Sequence, residues 1–202
     1  MVLIYVDNIL CLSHEPRSIL DTFGKFYVIK DDEIGPPSRY LGANIGKIQV
    51  GNGSECWAMS AEDYVLASVD NVETMLKEDG NEGLSKSKKQ WTSPMDKEYR
   101  PELDVSKELN SELASRYMQL IGVLQWAVKL CCYDSTIDVY LLSQHNVLPR
   151  EGHLDAIYGI FAYLKKVPKR CIAFDPSNPS VDTDGFNTET DWHDFYGDDV
   201  SG

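Results

Sequence analysis

The chain has 202 residues, of which 43% are hydrophobic and 25% are charged, and its net charge is −13. This length allows one large domain or two small domains with a real core, and the composition is typical of a globular protein rather than a disordered one. No apolar run approaches the ~20 residues that span a bilayer, so no membrane partner is expected. The acidic balance argues against a free-standing nucleic-acid binder.

The first part of the chain, residues 1–59, predicts β-structure around one short helix. Alternating apolar residues around a turn-forming Asp-Asn pair predict a hairpin, and glycines mark a second turn further on. The predicted elements are strands at Val2–Ile4 and Ile9–Leu12, a helix at Glu15–Phe23, a strand at Phe26–Ile29, an extended stretch at Arg39–Val50 loosened by Gly42 and Gly46, a turn at Gly51–Gly53 and a strand at Glu55–Met59.

The second part, residues 60–170, predicts a helical bundle. Ser60–Asp63 resembles a capping box at the start of the first helix, and a polar stretch at 78–91 predicts a loop. Apolar residues at helical spacing define the predicted faces. They are Tyr64, Val65, Val69, Val72, Met75 and Leu76, then Leu113, Tyr117, Leu120, Ile121, Leu124 and Val128, then Ile137, Tyr140 and Leu141, and finally Leu154, Ile157, Phe161 and Leu164.

The last part, residues 171–202, predicts a short strand at Cys171–Phe174 followed by an acidic connector. Eight acidic residues and no lysine or arginine lie between Asp175 and Gly202. Residues 1–174 therefore carry 24 of the 32 acids against all 19 bases, so the acidity is largely a property of the tail. This distribution leaves room for a local basic groove in the rest of the chain.

Two sets of residues have an ordinary interpretation that we prefer. Five cysteines match no zinc spacing and predict buried thiols in a reducing, intracellular compartment. His145 and His153 lack the neighbours of a metal site and predict structural histidines. A run of lysines beside a tryptophan could contact phosphate and stack on a base, although the preferred interpretation is a solvated loop. That run comprises Lys86, Lys88, Lys89 and Trp91.

The tip of the first predicted hairpin carries chemistry of its own. Tyr5-Val6-Asp7-Asn8 would present one carboxylate on a rigid turn, which is how a polymerase presents a ligand to magnesium. The simpler interpretation is a surface hairpin in which Asp7 and Asn8 only satisfy the turn geometry. The motif alone does not separate these interpretations.

Four sequence blocks, in order, resemble the reverse transcriptase of copia-type (pseudoviral) retrotransposon polyproteins. Tyr5–Asn8 is similar to the Tyr-Val-Asp-Asp turn of that family, and the resemblance runs over nearly the whole chain. The other blocks are Gly35–Gly42, which leads into the primer-grip hairpin, Leu120–Leu124, which matches Leu-Ile-Gly-x-Leu, and Pro149–His153 with Ile160–Lys166, which matches the helix ending in Tyr-Leu-Lys.

The resemblance implies a fold, a reaction and a set of site residues. It implies an α+β chain with a partial palm in 1–59, a thumb-like bundle in 60–170 and a connector in 171–202. The reaction of the family is RNA-directed DNA polymerisation, a nucleotidyl transfer with two Mg²⁺ ions. Tyr5, Asp7 and Asn8 would form the catalytic turn, with Asp7 as the metal ligand. Asn8 replaces the second aspartate by a neutral amide, and the family's upstream aspartate has no counterpart here.

The resemblance also implies partners. Tyr40, Leu41 and Gly42 would form a primer-grip-like turn, where Gly42 allows either close approach of a primer or a strand bulge. The family's partners are an RNA/DNA primer–template, an N-terminal palm and fingers region, and a C-terminal ribonuclease H domain within a DNA-integrating polyprotein. The nucleic-acid contacts would come from Arg39, Lys47, Lys165 and Lys166.

Three functions follow from these observations. The first is a reverse-transcriptase fragment that is inactive by itself and binds no Mg²⁺, because one carboxylate cannot hold two metal ions. The second is a non-catalytic module that binds nucleic acid or protein. The third is an unrelated structural domain.

Overall fold

The computed structural model describes residues 1–6, 8–29, 34–51, 53–84 and 93–175. These residues form an α+β structure. In chain order its strands and α-helices are β1 (Val2–Tyr5), β2 (Asn8–Cys11), α1 (Pro16–Phe23), β3 (Arg39–Tyr40), β4 (Ala43–Gln49), β5 (Glu55–Ser60), α2 (Glu62–Glu78), α3 (Ser111–Leu130), α4 (Thr136–Ser143), α5 (Glu151–Lys166) and β6 (Cys171–Phe174).

The strands form two antiparallel sheets. β1 and β2 pair only with each other, whereas the second sheet has the order β3-β4-β5-β6. The strand predicted at the end of the bundle, β6, therefore returns to the sheet and pairs along β5. This pairing places the end of the described chain beside β5, with α2 to α5 between the two strands in sequence.

The core lies between the helices and one end of the larger sheet. α2 buries Val65, Val69, Val72 and Leu76, which is the predicted face. α3 and α5 bury most of the predicted positions, although Leu113 and Val128 are only partly buried, and Tyr117 donates its hydroxyl to the Leu142 carbonyl oxygen at 2.6 Å. The largest fully buried side chains are Tyr117, Phe161, Ile121, Leu124, Leu142, Ile157 and Ile160. The helices expected in 60–170 are therefore present and share one core.

The N-terminal hairpin and α1 contribute nothing to this core. No described residue before Ala43 is buried, and Leu3, Ile4 and Tyr5 expose 40%, 55% and 52% of their surface. α1 begins at Pro16 as predicted, because proline has no N–H to lose in a first turn. A two-stranded sheet gains little stability by itself, so the exposed apolar surface of this hairpin distinguishes it from the rest of the fold.

Two backbone predictions for residues 1–59 are wrong. The segment Phe26–Ile29 forms no strand, because the Phe26 and Tyr27 amides donate to the Phe23 carbonyl oxygen and continue the end of α1 as turns. Gly42 does not loosen a continuous extended stretch or form a bulge. It lies in the tight turn that separates β3 from β4.

Three side-chain predictions for residues 60–171 are also wrong. Ile137 and Tyr140 are 71% and 65% exposed, because α4 turns Val139 and Leu142 towards the core instead. Ser60 does not cap α2 through a capping box; Ala61 is the N-cap residue, and Ser60 Oγ accepts only the Glu62 N–H. Cys171 is exposed rather than buried.

The remaining cysteines differ in burial. Cys56, Cys131 and Cys132 are buried as predicted, whereas Cys11 is partly exposed, and all five thiols are free. Burial raises the pKa of both Cys131 and Cys132 to about 11, so these thiols stay protonated and unreactive at neutral pH.

Among the described helices, none combines the length and hydrophobicity of a membrane span.

A hydrogen-bonded network locks the loop before α3 onto the start of α5. Asp104 accepts bonds from the Tyr99 hydroxyl at 2.5 Å and from the Ser106 N–H at 2.7 Å. Ser106 Oγ in turn accepts the Gly152 N–H at 2.9 Å. Burial and the adjacent carboxylate raise the pKa of Tyr99, so its hydroxyl remains a donor. The network places a carboxylate at a helix N-terminus, where negative charge is favourable.

His153 completes this junction as a structural histidine. Its exposed fraction is only 2%, and its Nδ1 accepts the Arg150 N–H at 3.1 Å. Nδ1 is therefore unprotonated, which leaves Nε2 to donate to the Pro101 carbonyl oxygen at 3.0 Å. Both ring nitrogens are used within the fold.

Candidate nucleic-acid interface

The first hairpin reverses over two residues. Its closing pair is Tyr5 and Asn8, and Val6 is the described residue between them. Val6 has a φ of +54°, which is unusual for a β-branched side chain. Asp7, the predicted catalytic and metal-binding residue, lies outside the described residues. Tyr5 and Asn8 are both exposed at the end of the hairpin.

The second hairpin reverses in the same way. Tyr40 pairs with Ala43, which leaves Leu41 and Gly42 at the turn with φ values of +54° and +90°. Positive φ at both turn residues matches the twist of a two-residue hairpin, and glycine takes such a conformation at no steric cost. Leu41 does not have this freedom, so the turn holds it in a costly conformation.

These two turns share a feature that separates them from the rest of the described chain. Val6 and Leu41 are the only described residues other than glycine with a positive φ. A bulky residue in this region costs of order 1–3 kcal/mol and persists only where the surrounding structure holds it. Both strained residues fall within the two sequence blocks that resemble functional turns of a polymerase.

One cleft brings the two hairpins together. Asn8 of β2 lines it on one side, and Arg39 and Tyr40 of β3 line it on the other. Its volume is about 580 Å³, and the Gly35–Ser38 segment connects its walls. The cleft thus contains an amide, a tyrosine ring and an exposed guanidinium, a set that can contact the sugar and phosphate groups of a nucleic-acid strand.

The four predicted nucleic-acid contacts do not form one surface. Arg39 pairs with Asn44, and alternation along β4 places Lys47 on the opposite face of the sheet. Lys47 Nζ lies 2.9 Å from a Glu55 carboxylate oxygen. Lys165, at the end of α5, lies 2.6 Å from Glu73, and its neighbour Lys166 is exposed. Of these cations, Arg39 is the one that lines the cleft.

The described residues do not fit a magnesium site by themselves. They contain no group of three or more histidine, cysteine, aspartate or glutamate side chains that could hold a metal ion. The described member of the predicted catalytic pair, Asn8, offers a neutral amide oxygen, whereas Mg²⁺ prefers anionic oxygen ligands in octahedral geometry.

Sequence analysis missed one set of exposed residues. Trp57 lies on β5 directly opposite Lys47, with its ring centroid 5.7 Å from Lys47 Nζ, and Phe174 of β6 lies opposite Trp57 on the other side. The first pairing had a signal in the sequence, because residues 47 and 57 are equidistant from the centre of the Gly51–Gly53 turn. The pairing of Trp57 with Phe174 had no such signal in the sequence.

The predicted lysine–tryptophan run at 86–91 lies outside the described residues, as do 176–202 of the acidic connector.

Comparison with known proteins adds no relative. No protein-family model matches the chain, and no curated protein or solved structure matches it. Function is therefore inferred from the residues and geometry of the chain itself.

Proposed function

We propose that this chain supplies the later palm strands and the thumb of a copia-type reverse transcriptase, and that it holds the primer–template duplex. The observation that carries the proposal is the cleft between two strained two-residue hairpins. Both hairpins lie where the sequence resembles the catalytic turn and the primer grip, and both contribute side chains to the cleft.

In this role the cleft positions a strand rather than reacting with it. Arg39 would contact a phosphate, because a guanidinium donates two parallel hydrogen bonds to phosphate oxygens. Tyr40 would pack against a sugar, and the partly buried Leu41–Gly42 turn would present its backbone to the primer end. The packed helices α2, α3 and α5 would support the duplex from the opposite side as a thumb.

A second function is favoured by Asn8. An amide in place of the second turn aspartate removes one negative charge where two divalent ions would bind. A chain with this substitution would retain the cleft and its strand contacts while losing the chemistry. The second candidate is therefore a nucleic-acid-binding module without polymerase activity of its own.

Site-specific crosslinking tests whether the cleft holds a primer. A photoreactive phenylalanine analogue replaces Tyr40, and the protein is irradiated with a labelled primer–template duplex at low salt. The matched control carries the analogue at Tyr133, which is 57% exposed just before α4 and distant in sequence from both hairpins. We expect the primer strand to crosslink at position 40 and not at position 133. Equal crosslinking at both positions would refute the proposal.

Primer extension separates the two candidates. With Mg²⁺ and all four nucleotides, we expect the 202-residue chain to bind the duplex without extending the primer. Template-dependent extension that Asp7→Ala abolishes would instead show that the chain is a polymerase by itself. Extension that survives Asp7→Ala would indicate a contaminating enzyme, so this variant is the necessary control.

A further inference from the structure

One face of the larger sheet is covered by helices only at one end. Met59 of β5 and Ile172 of β6 pair with each other and pack against the helical core. Two residues along each strand, on the same face, Trp57 pairs with Phe174 and exposes 42% of its surface, while Phe174 exposes 57%. The helices therefore stop short of this pair.

Lys47 extends the pair into a row across three strands. Lys47, Trp57 and Phe174 occupy directly opposed positions on β4, β5 and β6, and we refer to them as the aromatic row. Opposed side chains in an antiparallel sheet have Cβ atoms about 4.5–5.5 Å apart, so the two rings lie side by side. Lys47 Nζ lies 5.7 Å from the Trp57 ring centroid, within reach of a cation–π contact.

We propose that the aromatic row binds single-stranded nucleic acid, with bases stacked on Trp57 and Phe174 and a phosphate near Lys47. The inference rests on the proposed function, because it takes nucleic acid as the partner, and it adds a contact surface for an unpaired strand. Four-stranded antiparallel sheets with exposed aromatic side chains are an established platform for stacking bases. Every base has a flat face, so this binding is tolerant of sequence.

The size and surroundings of the row favour this ligand over a protein partner. Gln49 and Glu55 flank it on the same face and are polar, so its apolar part consists of the two rings. A stable protein interface buries about 800 Å² on each partner, more than two partly exposed rings provide. Stacking requires only one ring for each base. Lys47 is paired with Glu55 at 2.9 Å on the exposed surface, and a phosphate would take the place of that carboxylate as its partner.

The decisive experiment compares an oligonucleotide with its abasic counterpart. A fluorescent 10-nucleotide oligothymidine and the same backbone with abasic sites are titrated with the full chain at low salt, and binding is measured by anisotropy. Stacking contributes about 1–3 kcal/mol per base, roughly 5- to 150-fold in affinity, so the abasic strand, which loses two stacked bases, should bind at least about 5-fold more weakly. Equal affinity for the two strands would overturn the proposal and leave phosphate contacts alone.

Variants of the row give a second, independent readout. Trp57→Ala and Phe174→Ala should each lower the affinity for oligothymidine about 5-fold or more, whereas Trp57→Phe should restore most of it. Tyr140→Ala is the matched control, because Tyr140 is 65% exposed on α4, and it should change nothing. Phe174→Ala and Trp57→Phe keep the test valid if Trp57→Ala does not fold.

The salt dependence of binding and the self-association of the chain provide two further tests. Lys47→Gln should reduce the salt dependence of binding by about 0.7 in log affinity per log salt, the value for one phosphate of a single strand. If Trp57→Ala instead dissociates a self-associated chain in sedimentation and leaves oligothymidine binding unchanged, the row is a protein interface and the proposal is wrong. Crosslinking at Tyr40 is measured with a duplex, so failure of the row and failure of the cleft are distinguishable.

Discussion

Replacing Gly152 by alanine should destabilise the protein, although alanine is the better helix former. Gly152 lies in the first turn of α5, and a Cβ atom there would be 1.9 Å from Asp104 Oδ2 and 2.9 Å from Asp104 Cγ. Real Cβ atoms do not approach other atoms this closely. The Asp104 carboxylate would therefore have to leave its position, and its bonds to the Tyr99 hydroxyl and the Ser106 N–H would be lost.

The expected magnitude follows from these two bonds. Hydrogen bonds to a charged group contribute about 1.5–3 kcal/mol each, while replacing glycine by alanine stabilises a helix by about 1 kcal/mol. The free energy of unfolding should therefore fall by about 2–5 kcal/mol. Gly122→Ala is the matched control: Gly122 is exposed within α3, and nothing lies within 4 Å of its added Cβ. That substitution should stabilise the protein by about 0.5–1 kcal/mol.

Urea unfolding followed by circular dichroism measures both effects on the same scale. With a slope of about 2 kcal/mol per molar urea, Gly152→Ala should lower the midpoint by roughly 1–2.5 M. The cause is tested by repeating Gly152→Ala in an Asp104→Ala background, where the clash is absent. There the alanine should cost less than about 1 kcal/mol, giving a clear coupling energy between the two positions. If Gly152→Ala and Gly122→Ala have the same effect, the network does not hold α5.

Three other predictions concern the core, the pH response and the tail. Leu124→Ala and Phe161→Ala should each cost about 2–5 kcal/mol in urea unfolding, whereas Ile137→Ala, on the exposed side of α4, should stay within about 0.5 kcal/mol. Burial, followed by the neighbouring His153, lowers the pKa of His145, so the unfolded chain binds the proton more tightly. Stability should therefore fall as the pH drops below about 6.5, and less steeply in His145→Asn, which unfolding curves between pH 7.5 and 5.5 would show. Deleting 175–202 removes eight acids and should strengthen duplex binding, which a salt titration measures; weaker binding after deletion would show that the tail makes contacts.

The sequence predicted those parts of the fold that depend on local periodicity. The apolar positions of α2 recur at 65, 69, 72 and 76, and this spacing leaves only one face for the core. The first hairpin was equally predictable, because two apolar runs flank the short segment Tyr5–Asn8, although Asn8 belongs to β2 and not to the turn. In both cases the residues that decide the structure are neighbours in sequence.

α4 was mispredicted because it has apolar residues on more than one face. Ile137, Tyr140 and Leu141 have helical spacing, but so do Val139 and Leu142, and the sequence alone does not rank the two sets. The choice depends on tertiary contacts. Leu142 offers its carbonyl oxygen to the Tyr117 hydroxyl from α3, and that contact fixes the rotation of α4 about its axis. A strand was likewise predicted at 26–29 from β-propensity, which has no effect where no neighbouring strand pairs with the segment.

The candidate sites depend even more on contacts between segments that are distant in sequence. The cleft was partly predictable, since each hairpin could be recognised by its own motif, although their convergence on one cleft could not. The aromatic row depends on β6 pairing with β5 more than a hundred residues after the chain has left that strand, and no local pattern encodes this register. Loop-closure cost grows only slowly with loop length, so a fold can place Phe174 beside Trp57 at little extra cost. Surfaces assembled in this way are absent from any motif and become visible only when exposed side chains are followed across strands.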